Sequence, residues 1–269
     1  MRATFFTLLK KPFFGRFRVP WKDPRSEEEK RSWERISVRS QSGATISLLW
    51  RAQPNAQGTV VLGHPMGKAA KGVFLKNGHA DRLLQAGFNV LLYDMNGFGE
   101  SGMGNFGYYK DVAVVGQKAR ELSGDLPIGY HGISLGGMWV TPVLSSPDNP
   151  FQHVILESAS TSLPEFWIHY PLAYKLLRFS FFFTPKLAEY LKPINHISQL
   201  NKVESLLLIY SDSDIYTPLE MGERLQNSAS IKAALWNASG AEHALAFKSH
   251  GEEYMEKVVG FFETQMKKA

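Results

Sequence analysis

One serine stands between glycines in the segment GISLGG, where Gly132, Ser134 and Gly136 form the pattern G-x-S-x-G. A short apolar run precedes this segment and a helix-forming run follows it. We therefore expect the serine at a sharp turn between a strand and a helix, with its hydroxyl exposed at the carboxyl end of a sheet. The flanking glycines would let strand and helix approach closely. The pattern predicts a nucleophile at Ser134.

A serine hydroxyl attacks a carbonyl carbon only when a base takes its proton and an acid holds that base. In a strand–turn–helix arrangement, the acid and the histidine follow the serine along the chain, each after a later strand. Asp214 follows the run SLLLIY, and His243 follows the run IKAALWN. We expect Asp214 and His243 to complete a catalytic triad with Ser134.

Two other carboxylates compete for the role of the acid. Asp212 lies two residues before Asp214 and suits a loop cap, whereas Glu157 lies in the run HVILES, at a position that some serine hydrolases use. The order along the chain favours Asp214 over both. Among the eight histidines, only His243 follows a strand after the acid, and His131 is expected to pack in the core.

The oxyanion of a tetrahedral intermediate needs two N–H donors. The backbone of Leu135, directly after the serine, is the first candidate. The second is expected from the loop in VVLGHPMGKAAKG, where Pro65 has no N–H and Met66 follows it. His64 is expected to brace this loop by hydrogen bonding.

Eight strands, separated by helical segments, are predicted to position these groups. Two alternating runs, at 33–39 and 44–50, predict an antiparallel hairpin around SQSG. Six apolar runs typical of buried strands follow, at 59–62, 88–94, 126–132, 153–158, 205–212 and 231–237. Helical patterns lie at 78–86, 112–122, 135–144, 219–226 and 252–266. This alternation indicates an α/β protein whose mainly parallel sheet has helices on both faces.

Five motifs in this order resemble those of α/β-hydrolase-fold serine hydrolases of the esterase, lipase or dienelactone-hydrolase kind. They are GHPMG, DMNGFGESG, GISLGG, SDSD before YTP, and GAEH, within a region from about residue 33 to the C-terminus. The resemblance implies an α/β-hydrolase fold with a small helical cap. It also implies a triad of Ser134, Asp214 and His243. The oxyanion hole would be formed by Met66 and Leu135.

The chain departs from the family pattern at two positions. Pro65 stands where many members have glycine after the histidine, and Ser211 stands where glycine is common. Neither departure removes a catalytic group. The serine at position 134 argues against haloalkane dehalogenases and epoxide hydrolases, which are similar to this family but have an aspartate nucleophile.

Three regions are expected along the chain. Residues 1–31 form a basic and aromatic arm with a charged linker, residues 32–269 form the hydrolase domain, and residues 161–200 form a cap inserted into it. The cap is rich in aromatic residues and leucine and is punctuated by prolines, so we expect two or three short helices. Such a cap would favour an apolar acyl or aromatic substrate. Residues 1–20 either pack on the domain or contact an anionic membrane.

The composition excludes several other kinds of chemistry. With 44% hydrophobic and 20% charged residues, the chain fits a soluble globular protein, and we expect it in the cytoplasm. It contains no cysteine, so disulfides and thiolate catalysis are excluded. The net charge of +5 is accompanied by no nucleic-acid motif, metal-ligand spacing or phosphate-binding loop. We expect no metal, cofactor or nucleic-acid partner.

The expected function is hydrolysis of a small-molecule carboxylic ester through an acyl-enzyme. Thioesters and lactones use the same machinery and remain open as substrates. Acyl transfer and hydrolysis of amide or C–C bonds on the same triad are alternatives. A catalytically silent protein that binds a lipid or a partner is an alternative of another class.

Overall fold

The computed structural model describes residue 10 and residues 15–267, without the side chains of residues 180, 186 and 187. Its centre is an eight-stranded sheet in the order β1-β2-β4-β3-β5-β6-β7-β8. The strands are β1 (Glu34–Arg39), β2 (Thr45–Arg51), β3 (Thr59–Gly63), β4 (Asn89–Tyr93), β5 (Ile128–Ile133), β6 (His153–Glu157), β7 (Ser205–Tyr210) and β8 (Ala233–Asn237). Strand β2 is antiparallel to β1 and β4, and every other neighbouring pair is parallel. The predicted α/β class, hairpin and eight strands are confirmed.

Alternating side chains of the strands supply a hydrophobic core on each face of the sheet. In β3, Val61 belongs to one apolar cluster, while Val60 and Leu62 belong to the other. Successive side chains of a strand point to opposite faces, so strands that are apolar throughout must be covered on both sides. In the sequence, such strands are continuous runs of apolar residues and do not alternate between apolar and polar residues.

Eleven α-helices surround the sheet among the described residues. They are α1 (Glu27–Arg31), α2 (Gly72–Lys76), α3 (His79–Gln85), α4 (Tyr109–Ser123), α5 (Leu135–Leu144), α6 (Leu163–Phe166), α7 (Pro171–Phe183), α8 (Pro185–Tyr190), α9 (Pro193–Ile197), α10 (Leu219–Ser228) and α11 (Ala246–Met266). The predicted segments correspond to α3, α4, α5, α10 and the part of α11 after Gly251. Gly251, at φ 50° and ψ −113°, is not helical and divides α11 at a kink, and the predicted helix at 252–266 corresponds to the part that follows the kink.

The segment 161–200 contains four helices, so the prediction of two or three was wrong. Proline stands first in α7, α8 and α9 and second in α6. The first N–H groups of a helix have no partner within it, so proline costs little there and favours a new helix. Reading the prolines only as interruptions therefore undercounts the helices.

Residues 1–9 and 11–14 of the N-terminal arm lie outside the described residues. The choice between packing on the domain and membrane contact for residues 1–20 therefore falls largely outside them. The described part contacts the body: the Phe17 ring stacks on Phe98 at 5.3 Å, and the Phe17 carbonyl accepts the Gly99 N–H at 3.1 Å. Trp21 is buried against Gly72. In the part of the chain that the structure describes, no helix has the length and apolar character needed to cross a membrane.

Candidate active site

Ser134 occupies the turn between β5 and α5, with φ 49° and ψ −106°. A positive φ is uncommon for a residue with a side chain and has to be held by its surroundings. The Ser134 N–H donates to the Glu157 carbonyl at 2.7 Å, and the Ser134 carbonyl accepts the Met138 N–H at 2.8 Å. Two backbone hydrogen bonds therefore fix the strained turn at the carboxyl end of the sheet.

Glycines beside Ser134 allow contacts that no side chain would permit. A Cβ on Gly136 would lie 2.1 Å from the Gly63 carbonyl oxygen, and a Cβ on Gly132 would lie 2.7 Å from the Gly136 carbonyl carbon. The neighbours are backbone atoms, which cannot rotate away. The predicted close approach of strand and helix is confirmed, and it also brings the turn against the end of β3.

Three predicted side chains lie in a hydrogen-bonded row. The Oγ of Ser134 is 2.8 Å from Nε2 of His243, and Nδ1 of His243 is 2.8 Å from Oδ2 of Asp214. Asp214 follows β7, and His243 follows β8. The carboxyl ends of parallel strands meet at one edge of the sheet, so three positions far apart in the chain come together there. An Nδ1–H directed at the carboxylate leaves Nε2 free to accept the serine proton.

Asp214 is almost wholly buried, and hydrogen bonds satisfy both of its oxygens. Oδ1 accepts the N–H groups of Tyr216 and Thr217, each at 2.9 Å, and Oδ2 accepts the Thr217 hydroxyl at 2.6 Å. Burial acts to raise the pKa of Asp214, but the hydrogen bonds from His243 and Thr217 outweigh it, so the pKa lies below its ordinary value. The carboxylate is therefore ionised at neutral pH.

Sequence reasoning missed Thr217 at this site. A signal was present, because an aspartate often accepts the N–H groups of the second and third residues after it, and threonine at the third position adds a hydroxyl. The hydroxyl of Thr217 also lies 3.2 Å from Nδ1 of His243. Thr217 therefore helps to set the distance between carboxylate and imidazole.

The competing carboxylates bond elsewhere. Oδ1 of Asp212 accepts the Gly240 N–H at 3.0 Å, and Oδ2 accepts the Ser239 hydroxyl at 2.7 Å. These bonds lower the pKa of Asp212 and link the loop after β7 to the loop that carries His243. Oε2 of Glu157 accepts the Tyr254 hydroxyl at 2.6 Å and lies 3.2 Å from Nε2 of His131. His131 is fully buried, as expected for a core histidine.

The two residues predicted for the oxyanion hole are Leu135, which directly follows Ser134, and Met66. Leu135 is the first residue of α5, where N–H groups have no partner within the helix and the helix dipole favours negative charge. Met66 lies in the loop after β3. Among the described residues, neither N–H donates a backbone hydrogen bond in the turns, loops and caps.

His64 braces the Met66 loop, as predicted. Its Nδ1–H donates to the Pro65 carbonyl at 2.8 Å, and its Nε2 accepts the Met95 N–H at 3.0 Å. Burial lowers the pKa of His64 more than nearby Asp94 raises it, which fits a neutral ring with one donor and one acceptor. The loop is thereby held to the end of β4.

Aromatic rings surround the imidazole of His243. Phe166 and Tyr216 meet it edge-on, with centroids at 5.3 and 5.5 Å. Trp167 packs against Phe166 at 5.5 Å, and Tyr170 packs against Trp167 at 5.6 Å. Aromatic rings therefore lie against His243 in addition to its hydrogen-bond partners. In the described ranges, no group of three or more His, Asp or Glu side chains is arranged to hold a metal ion.

Comparisons with known proteins bear on the fold and family. Residues 54–212 match the family model described as serine aminopeptidase, S33. Over 206 residues, the chain is 27% identical to the uncharacterized protein YqkD of Bacillus subtilis (strain 168). The match covers 67% of this chain and 64% of YqkD, so the chain spans less than two thirds of that relative.

Solved structures share the fold at low sequence identity. The esterase Pf2001 of Pyrococcus furiosus is 18% identical, with a TM-score of 0.72 and coverage of 93% of this chain and 99% of that chain. Est1E of Butyrivibrio proteoclasticus, solved with ferulic acid bound, is 17% identical, with a TM-score of 0.68 and coverage of 87% and 100%. At these sequence identities, the comparisons show that the chains share a fold.

Proposed function

Because the chain belongs to the α/β-hydrolase-fold family described as serine aminopeptidase, S33, we propose that it is a serine hydrolase that cleaves carboxylic esters of apolar acyl or aromatic substrates. The observation that carries this proposal is the row from Ser134 through His243 to Asp214, with 2.8 Å at each step. This is the arrangement in which a hydroxyl becomes a nucleophile at neutral pH.

The row would work in two stages. As the Ser134 Oγ attacks the ester carbonyl carbon, Nε2 of His243 takes its proton, and Asp214 stabilises the imidazolium. The N–H groups of Met66 and Leu135 donate to the oxyanion. His243 then returns the proton to the leaving alkoxide as the C–O bond breaks, and the acyl group remains on Ser134. A water molecule, deprotonated by His243, then attacks this ester. His243 returns the proton to the Ser134 Oγ as the acyl C–Oγ bond breaks and the acid leaves.

The aromatic surroundings of His243 support an apolar acyl or aromatic substrate. Phe166 and Tyr216 lie against the imidazole, and Trp167 and Tyr170 extend the same cluster. Apolar pocket walls bind apolar groups and exclude water from the reaction. The ferulic acid in the Est1E structure is an aromatic carboxylic acid bound to a protein of the same fold, so esters of aromatic acids belong among the substrates to test.

A fluorophosphonate probe tests the nucleophile. Labelling should occur with the unaltered protein and disappear in Ser134→Ala. Ser145→Ala is the matched control, because Ser145 also lies 2.9 Å from a histidine ring nitrogen, on His196, but at the end of α5; its labelling should be unchanged. Absence of labelling in the folded, unaltered protein would instead favour a catalytically silent binding protein.

A substrate panel tests the bond that is cleaved. We expect p-nitrophenyl esters with medium or aromatic acyl groups to react faster than the acetate. The panel should include a thioester, a lactone and aminoacyl anilides, because the family description refers to aminopeptidases. Background rates on all esters with turnover of the anilides would contradict ester hydrolysis and favour amide hydrolysis. If esters react only when an acceptor alcohol is supplied, acyl transfer is favoured.

A further inference from the structure

Exposed apolar side chains are concentrated on helix α7. We use the term outer face of α7 for its five exposed large apolar side chains, which are between 59% and 81% exposed: Leu172, Leu176, Phe179, Phe182 and Phe183. Every other strongly exposed large apolar residue among those described lies just before α7 or in loops at the carboxyl edge of the sheet: Met66, Ile168, Tyr170 and Ile215. Scattered exposed apolar residues are ordinary, but a contiguous group of them marks an interaction surface.

The spacing of these residues makes the outer face continuous. Leu172, Leu176, Phe179 and Phe183 follow one another at intervals of four, three and four residues, so they lie on one side of the helix. Phe181, on the other side, packs against the core. The helix has its main contacts with α6 and α8, which flank it in the chain. Nothing in the described chain covers the outer face.

The charged side chains of helix α7 itself have a single sign. Residues 166–188 contain no aspartate or glutamate, and α7 itself carries Lys175 and Arg178. A second copy of the chain seated on this face would bring the same cations against them. An anionic lipid surface offers both an apolar interior and negative headgroups, and basic, apolar helices of this kind lie in such an interface.

The outer face is also continuous with the candidate active site. Tyr170, directly before α7, is linked by ring contacts through Trp167 and Phe166 to the imidazole of His243. At 13 residues, α7 is far shorter than the roughly 20 residues of a membrane-spanning helix. We propose that the outer face of α7 docks in the plane of an anionic phospholipid membrane.

Vesicle flotation of the full chain tests this proposal. The probe is a vesicle of phosphatidylcholine and phosphatidylglycerol in equal amounts, with pure phosphatidylcholine for comparison. We expect flotation with the anionic vesicles and a loss of roughly tenfold or more in the combined variant Phe179→Ser, Phe182→Ser, Phe183→Ser, because apolar area buried in lipid scales with affinity. The thermal midpoint should be unchanged, since these side chains are exposed.

Two double variants distinguish an effect of the charges on α7 from an effect of the protein's net charge. Lys175→Glu with Arg178→Glu should remove the preference for anionic vesicles. Lys202→Glu with Lys232→Glu makes the same change of charge beside the amino ends of β7 and β8, at the opposite edge of the sheet, and should keep binding within about threefold. Equal losses in the two pairs would overturn the docking site.

A labelled variant keeps the proposal testable if the combined phenylalanine-to-serine variant fails to fold. The chain has no cysteine, so Leu176→Cys can carry one environment-sensitive fluorophore, whose emission should shift to the blue with anionic vesicles. The control label on Lys232→Cys should not shift. No shift at 176 would overturn the proposal. The proposal would also be overturned if flotation depended only on residues 2–14. It would likewise be overturned if the protein were a dimer at all lipid concentrations and the combined Phe179→Ser, Phe182→Ser, Phe183→Ser variant dissociated that dimer.

Discussion

Asp214 and Glu157 are buried carboxylates at the ends of parallel strands, and they bond to different groups. Asp214 accepts from His243 and Thr217, whereas Glu157 accepts from Tyr254 and lies beside His131. The order of residues along the chain favoured Asp214 without excluding Glu157. The distances indicate that only Asp214 orients the imidazole that meets Ser134.

Replacement of each acid by its amide should separate their roles. Asp214→Asn should lower kcat by about 10⁴-fold, because an amide favours the wrong tautomer of His243. Glu157→Gln should keep kcat within about tenfold, because its hydrogen bonds do not reach His243, and should mainly lower stability. Steady-state kinetics with an ester from the panel, together with urea unfolding, would measure both effects. Similar losses of kcat in the two variants would contradict this assignment.

The lowered pKa of Asp214 also predicts a pH dependence of stability. A carboxylate whose pKa is lower in the folded than in the unfolded state stabilises the fold above its unfolded pKa of about 4, and this stabilisation is lost as pH falls through the folded pKa. The free energy of unfolding should therefore fall more between about pH 5 and pH 2 in the unaltered protein than in Asp214→Asn. Urea titrations at a series of pH values would show this, and parallel curves would argue against it.

At the scale of elements, the turn between β5 and α5 depends on contact between backbones. Gly136→Ala would place a Cβ 2.1 Å from the Gly63 carbonyl oxygen. We expect a loss of roughly 3 kcal/mol or more in the free energy of unfolding, because no side chain can rotate to relieve the clash.

Gly260→Ala is the control for that substitution. Gly260 lies inside α11, and a Cβ there would meet nothing within 4 Å. Alanine is the better helix former by about 0.8–1.0 kcal/mol, so this variant should be neutral or more stable. Equal unfolding midpoints in urea for the two alanine variants would show that the turn is not as tightly packed as described.

The segment after β4, DMNGFGESG, is held by a buried ion network. The ammonium of Lys71, which is fully buried, donates to Asp94 Oδ2 at 2.5 Å and to Glu100 Oε2 at 2.7 Å. Burial acts to raise the pKa of Glu100, but the bonds from Lys71 and Arg35 lower it to about 2. The segment's conformation therefore depends on a lysine more than twenty residues away in the chain.

Lys71→Met should destabilise the fold by roughly 3–5 kcal/mol, because it leaves the buried Asp94 carboxylate without its cation. Lys118→Met, which removes an exposed ion pair with Glu121, should cost at most about 0.5 kcal/mol. Chemical denaturation of both variants would measure the difference. A cost for Lys71→Met no larger than that of the surface control would mean that the network contributes little.

At the scale of the whole molecule, stability is distributed unevenly between the sheet and the cap helices. The strands and the helices on their faces share two large apolar clusters, whereas α7 is contacted mainly by α6 and α8. Segments with few buried apolar contacts open at low free-energy cost.

Brief trypsin digestion should therefore cut first after Lys175 or Arg178. Arg120, whose guanidinium donates to the carbonyls of Gly124 and Leu126 at 2.9 Å, should resist cleavage at the same protease concentration. Intact-mass measurement of the first fragments identifies the sites. Initial cleavage within α4, at Lys118 or Arg120, would contradict the expected order of opening.

Local patterns in the sequence were sufficient for the strands and for the turn at Ser134. Apolar runs bounded by turn residues predicted all eight strands to within a few residues, and the glycines around Ser134 predicted the turn. These signals are short-range, since strand alternation, helix periodicity and turn chemistry depend on residues within one or two turns of each other.

Contacts between distant segments were decided only by the tertiary structure. Examples are Thr217 beside His243, Asp212 bonded to the loop at Gly240, Glu157 bonded to Tyr254, and Lys71 bonded to Asp94. The register of the parallel strands sets which loops meet at the carboxyl edge, and the packing of α11 on the sheet sets what Glu157 faces. Because each such partner depends on the position of another element in space, no pattern of neighbouring residues could predict it.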